Sequence, residues 1–147
     1  MGDKLLAEVA KLGLLKVKHY ISSDKVICVR KNMPILKAVE VMAENRKTSV
    51  PVVNGDMTLA GMLSEKDVLV LLTSESEKTG TVENFMETDV ASFDENASLI
   101  DVCEHLKGST CRRMPILSDG KLVDVIDRND LIGQIVKLRK ASEDNKD

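Results

Sequence analysis

Apolar residues along this chain follow two spacings that alternate in a fixed order. Val50-Pro51-Val52-Val53 and residues 58–63 are short apolar runs, joined through Asn54-Gly55-Asp56, a strong hairpin signal. Upstream, Ile35, Leu36, Val39, Met42 and Ala43 fall on one helical face, with Lys37, Glu40 and Glu44 outside it. Pro34 suits the first turn of that helix. A short strand over residues 26–29 precedes it, and a second helix over about residues 65–72 follows the hairpin. The order is strand–helix–strand–strand–helix.

The same order then recurs. Residues 90–93 form a strand, and Asn96 caps a helix carrying Leu99, Val102, Cys103 and Leu106. Pro115-Ile116-Leu117, a turn at Asp119-Gly120 and a strand over residues 122–126 make the second hairpin. Asp127-Arg128-Asn129-Asp130 opens the last helix, as Ser64-Glu65-Lys66-Asp67 opens its counterpart. The two hairpin prolines stand at an offset of 64 (115 − 51) and the two helix aspartates at an offset of 63 (130 − 67). A fixed period with matching chemistry is a duplicated unit, and duplicated units share a core that neither builds alone. The expected fold is α+β, two tandem β-α-β-β-α repeats with pseudo-two-fold symmetry. The matching loops are then expected to face each other across clefts.

Leu5, Leu6, Val9 and Leu12 add one stripe of a short amphipathic N-terminal helix. The expected organisation is therefore an N-terminal helix over 1–16, repeat one over 17–73 and a polar linker over 74–81. Repeat two then spans 82–138 and a charged, frayed tail 139–147.

Composition narrows the function classes. Aromatic residues are only 2% of the chain, so the core must be aliphatic, with seven methionines contributing. A net charge of −3 offers no electrostatic case for nucleic acid or an anionic membrane. No apolar run approaches the length of a membrane span and no secretory signal opens the chain, so a cytoplasmic protein is expected. Cys28, Cys103 and Cys111 lack any CxxC or Cys/His spacing, and read as small core residues rather than metal ligands. No metal is expected. Neither a Ser/His/Asp or Cys/His pattern nor a Walker loop is present, so an enzyme is not expected.

Candidate chemistry gathers at the helix starts. Ser64 and Asp67 stand at the N-cap and third position of a helix, where free amides and the dipole favour an anion such as phosphate. A carboxylate there can accept both hydrogen bonds of a ribose diol. Gly61 lets a ligand approach the backbone closely. On the motif alone a plain capping box is the favoured reading. Arg112 and Arg113, just before Met114-Pro115, shift that balance. Two adjacent arginines at a strand entrance suit a phosphate if repeat pairing brings them opposite the Ser64 helix.

The pattern Thr48-Ser49-Val50-Pro51-Val52-Val53, then Gly61-Met62-Leu63-Ser64-Glu65-Lys66-Asp67, echoed in the second repeat, resembles a tandem pair of cystathionine β-synthase (CBS) domains, a Bateman module. The resemblance covers about residues 17–136. It implies a regulatory, energy-sensing module that binds an adenosine ligand between repeats, pairs into a homodimer and signals to a partner protein. It places Asp67 on a ribose, Ser64 near the phosphate, Met62 beside the adenine and Ala91 in the adenine pocket, with Arg112 and Arg113 on the phosphate. A second, weaker site would use Asp130, Thr48 and Cys28. There Asp127 replaces the hydroxyl and Asp124 the glycine, and a carboxylate beside a phosphate is a like-charge contact. The expectation is a stand-alone module with one competent site for AMP, ADP or ATP. Two alternatives remain: an S-adenosylmethionine sensor, and a structural or dimerisation module with vestigial sites.

Overall fold

The computed structural model describes residues 15–20, 25–73, 79–108 and 113–144. The expected N-terminal amphipathic helix lies almost wholly outside the described residues, as do Cys111 and Arg112.

Repeat one contains β1 (Val29–Arg30), α1 (Ile35–Glu44), β2 (Ser49–Val53), β3 (Leu59–Ser64) and α2 (Glu65–Thr73). Repeat two contains β4 (Phe93–Asp94), α3 (Leu99–Gly108), β5 (Arg113–Ser118), β6 (Lys121–Asp127) and α4 (Arg128–Asp144). Each repeat carries a three-stranded sheet, β1-β2-β3 and β4-β5-β6. β1 runs parallel to β2 and β3 antiparallel to it. This is the α+β, twice-repeated order the sequence predicts.

The cores match position by position. Ile35, Ala38, Met42, Val50 and Val52 are buried, and so are Leu99, Val102, Leu106, Met114 and Ile116, each at an offset of 64. Past the hairpin the offset drops to 63, as for buried Leu63 and Ile126. The hairpin loops explain the lost residue. Repeat two turns on Asp119 (φ 51°) and Gly120 (φ 80°), both left-handed, which suits a two-residue I′ turn. Repeat one uses the longer loop 54–58, with left-handed Met57 (φ 73°) and the Asn54 amide donating to Thr58 Oγ1. Asp56 accepts from both the hydroxyl and the amide of Thr58, which holds its carboxyl below the usual range. Thr58 and Lys121, equivalent positions in the two repeats, pair in an antiparallel bridge, and Leu122 N–H donates to Met57 O at 2.9 Å.

The packing units do not coincide with the sequence repeats, because the lead-in segments are exchanged. A short 3-10 turn at Val82–Asn84 docks on repeat one: Val82 N–H donates to Met33 O, Glu83 N–H to Lys31 O, and Ile35 N–H to Gly80 O. Its counterpart at Val17–Tyr20 docks on repeat two: Val17 N–H donates to Ala97 O, Lys18 N–H to Glu95 O, and Leu99 N–H to Leu15 O. Val82 and Val17 are both fully buried, each inside the repeat it does not precede in sequence. One compact unit therefore comprises residues 24–91 with 117–123, and the other residues 1–23, 92–116 and 124–147.

Several local expectations are corrected. The first strand of each repeat, expected over 26–29 and 90–93, is reduced to Val29–Arg30 and Phe93–Asp94. In repeat one, only Val29 and Arg30 find partners on β2. Asn96 does not cap α3. Asp94 Oδ1 captures the Asn96 amide, and Ser98 Oγ accepts from Ile100 N–H instead. The last helix runs to Asp144, through much of the expected frayed tail. Cys28 and Cys103 are half-buried free thiols, and burial pushes both thiols up.

Candidate functional site: the helix caps of the two repeats

β3 ends at Ser64 and α2 begins at Glu65, so the strand delivers Ser64 directly to the N-cap. The helix start is tied to β2 by Glu65 N–H donating to Thr48 O at 2.8 Å. Ser64 donates twice to one oxygen of Asp67: its amide at 2.9 Å and its hydroxyl at 3.0 Å, both to Oδ2. Asp67 is half-buried, and its Oδ1 takes no hydrogen bond among the described residues. One carboxylate oxygen thus completes the cap and the other is left for an external donor.

The approach to this cap is built around Gly61, which pairs with Val52 in the middle of the sheet. A Cβ at Gly61 would collide with the Glu87 carbonyl oxygen and stand 3.1 Å from Met86 Sδ. Next to it, Met62 N–H donates to Glu87 O and Glu87 N–H to Met62 O, both at 2.9 Å. The close approach this glycine permits is therefore already used by the chain's own backbone. The same clasp explains why Pro51 is tolerated opposite Met62. Met62 turns both polar groups away from β2, making Pro51–Met62 a pair without ladder hydrogen bonds, so the β2–β3 ladder loses nothing. Met62 is buried and Ala91, beyond the clasp, is exposed. Gly61, Met62, Ser64, Asp67 and Ala91 all belong to the unit containing residues 24–91. Arg113 is half-buried at the start of β5 and belongs to the other unit.

The second cap has the same spacing and a different polarity. Asp127 N–H donates to Asp130 Oδ2 at 3.0 Å, and Asp130 N–H to Asp127 Oδ1 at 2.8 Å, a reciprocal capping box. Asp127 therefore accepts where Ser64 donates. Partial burial pushes the Asp130 carboxyl up, and the nearby Asp127 and Asp124 carboxylates push in the same direction. Thr48 is exposed and Cys28 half-buried, and both lie in the unit of repeat one. No cluster of potential metal ligands occurs among the described residues, and no described helix is long and apolar enough to cross a membrane.

Sequence reasoning missed Glu87 and the Thr48 carbonyl, which act through the backbone. A glycine in mid-strand was the available signal for Glu87, since such a position marks close backbone approach.

The CBS domain family model matches residues 17–74 and again residues 82–137. The chain belongs to the CBS domain family. An uncharacterized protein of Methanocaldococcus jannaschii is 27% identical to this CBS pair over 112 residues, 76% of this chain. The chain spans 40% of that relative's length. Among solved structures, CBSX2 of Arabidopsis thaliana in complex with AMP superposes with a TM-score of 0.75 at 23% identity, over 84% of this chain and 98% of that one. The CBS domain pair of MJ0100, in complex with 5′-methylthioadenosine and S-adenosyl-L-methionine, superposes with a TM-score of 0.69 at 19% identity, over 84% of this chain and 97% of that one. At these identities the likeness establishes the fold.

Proposed function

We propose that this CBS pair is a regulatory module that binds an adenine nucleotide (AMP, ADP or ATP), works as a homodimer and signals its occupancy to a partner protein, by binding rather than catalysis. The observation that carries the reading is the Ser64–Asp67 cap. It offers a helix start to a phosphate and one uncommitted carboxylate oxygen to a ribose hydroxyl. The AMP bound by CBSX2 supports that ligand class. In this reading Asp67 holds the ribose, Ser64 and the α2 amides face the phosphate, Met62 and Ala91 flank the adenine beside Gly61, and Arg112 and Arg113 neutralise phosphate charge. Occupancy becomes a signal only through differential affinity for two states of the protein.

The second cap supports a different ligand charge. Three carboxylates, Asp124, Asp127 and Asp130, repel a phosphate; burial is the main cause of the raised Asp130 carboxyl, and the Asp127 and Asp124 charges add to it. The site that would use Asp130, Thr48 and Cys28 is therefore left empty by phosphorylated ligands. It suits an uncharged or cationic adenosyl group, and the S-adenosyl-L-methionine of the MJ0100 pair supports this second reading.

Titration calorimetry with AMP, ADP, ATP and S-adenosylmethionine tests both. Asp67→Asn preserves an acceptor for the Ser64 amide and removes the carboxylate's second charged acceptor. It should weaken nucleotide binding by about 10- to 100-fold, the loss of one or two charge-assisted hydrogen bonds. Arg113→Ala should weaken AMP and leave adenosine unaffected. Unchanged affinity in both variants, or two equivalent AMP sites in the wild type, refutes the assignment.

A further inference from the structure

The two repeats end their first helix with different chemistry. The last carbonyls of a helix have no partner within it and need a donor from elsewhere. α1 closes on its own backbone in a Schellman motif. Arg46 is left-handed (φ 53°), its amide donates to Ala43 O at 3.2 Å, and Lys47 N–H donates to Met42 O at 2.9 Å. The equivalent carbonyl of α3 is that of Leu106, at the core offset of 64 (106 − 42). It accepts from a side chain, the Arg128 guanidinium, at 2.8 Å. At the same offset (110 − 46), Thr110 stands in the sequence where Arg46 does in repeat one. A β-branched residue is strongly disfavoured in the left-handed region, so this sequence is poorly suited to the closure that α1 uses.

A second observation concerns the donor's own helix. Arg128 is the first residue of α4, a place where the macrodipole favours an anion. Glu65, at the same place in α2 (offset 63, 128 − 65), has the favourable sign. A cation there is misplaced for α4 and well placed for the C-terminal end of α3, whose dipole favours it. Arg46 with Glu65, and Thr110 with Arg128, are thus two self-consistent ways of ending the same helix.

What α3 leads into gives this contact a function. After α3 the chain reaches Arg112 and then Arg113, which opens β5 next to the buried Met114. The connection is held on its strand side by that burial and on its helix side by Arg128. We infer that Arg128 is a positioning residue: by holding the end of α3 it sets where Arg113 and Arg112 present their charge to a phosphate. Arg128, Leu106 and Arg113 belong to one packing unit. Arg128 acts through Leu106 O and needs no contact with the ligand. The inference rests on the nucleotide binding proposed above and adds the residue that places its phosphate grip.

A double-mutant cycle of Arg128→Ala with Thr110→Gly decides it. Glycine at position 110 admits the left-handed backbone, so the next amide can reach Leu106 O as Lys47 N–H reaches Met42 O. Urea unfolding without ligand reads the closure. Arg128→Ala should lower the midpoint by roughly 0.3–1 M in the wild-type background and by much less in the Thr110→Gly background. Calorimetry reads the positioning. Arg128→Ala should weaken AMP by about three- to tenfold, part of one charge-assisted bond, and leave adenosine unchanged. Adding Thr110→Gly should recover AMP affinity although the Arg128 charge is still missing. AMP affinity that stays low in the double variant assigns the loss to charge and overturns the role, as does an equal loss for AMP and adenosine. Additive shifts of the urea midpoint overturn the closure itself. A wild type that binds neither AMP nor adenosine overturns the nucleotide reading and the positioning role with it, while the urea cycle still decides the closure. Should Arg128→Ala fail to fold, a folded double variant is the rescue, and an unfolded one overturns the proposal.

Discussion

Replacing Gly61 by alanine isolates the clasp between β3 and the segment that leads into the second repeat. The new Cβ would overlap the Glu87 carbonyl oxygen and press on Met86 Sδ at 3.1 Å and the Glu87 carbonyl carbon at 3.3 Å. Two of these three neighbours are backbone atoms, which cannot rotate out of the way as a side chain can. Relief requires the Met86-Glu87 backbone to withdraw, and both Met62–Glu87 hydrogen bonds then stretch or break. Two backbone hydrogen bonds are worth about 1 kcal/mol each, and forced overpacking costs about 1–3 kcal/mol. Against this, alanine restricts the unfolded chain and returns about 0.4–1 kcal/mol. The net loss is about 2–4.5 kcal/mol, a fall in Tm of roughly 5–15 °C for a chain of this size. Thermal and urea unfolding without ligand measure it, and hydrogen exchange at the Met62 and Glu87 amides should accelerate ahead of the rest of the sheet. Gly133→Ala is the matched control: it lies inside α4 with nothing within 4 Å of the added carbon. It should stabilise by about 0.5–1 kcal/mol through helix propensity. If Gly61→Ala changes stability no more than an ordinary surface substitution, about 0.5 kcal/mol, the clasp is not a structural constraint, and the glycine must be explained by a ligand instead.

Other substitutions probe the exchanged lead-ins and the caps. Val82→Ala should cost about 2 kcal/mol by emptying a buried site in repeat one, and its first amides to lose protection should be those of α1 rather than α3. A fragment of residues 24–91 should bury more apolar surface and show more cooperative urea unfolding than one of residues 17–73, since only the former keeps Val82 with its partners. Asp130→Asn should gain on the wild type as pH rises. A carboxyl pushed up in the folded state favours folding below its unfolded value, near pH 4, and that contribution is lost as pH rises through the folded value. Because the group is largely exposed the gain is a few tenths of a kcal/mol; paired urea titrations at pH 3 and 7 that show no difference count against a raised Asp130 carboxyl.

The order of elements was legible because apolar spacing reports burial. The residues at period 64, Ile35 with Leu99 and Val52 with Ile116, are the residues that fill equivalent places in the two cores. The caps were legible in residue type and spacing but not in direction. Ser64 can donate or accept and Asp127 only accepts while ionised, so one four-residue spacing yields a cap whose strand-end side chain donates in one repeat and accepts in the other. Asn96 and Ser98 are both good capping residues two positions apart. Asp94, reaching Asn96 first, decides between them.

What the spacing could not reveal is the exchange of lead-ins, and the reason is chemical. The bonds that dock them, such as Lys18 to Glu95 and Glu83 to Lys31, run from amide to carbonyl and leave no trace in side-chain identity. The apolar signal in the described lead-ins is short, Val17 in one and Val82 with Phe85 and Met86 in the other, and so few residues make no period. Yet this exchange explains why the duplication persists as a pair. A single repeat cut at its sequence boundaries would expose its own lead-in valine and lack the one that completes its core. The segment that closes repeat one at Val82 and clasps Met62 at Glu87 is also the segment from which repeat two begins. A ligand that presses on Met62 or Ala91 therefore acts on the covalent path into the second repeat.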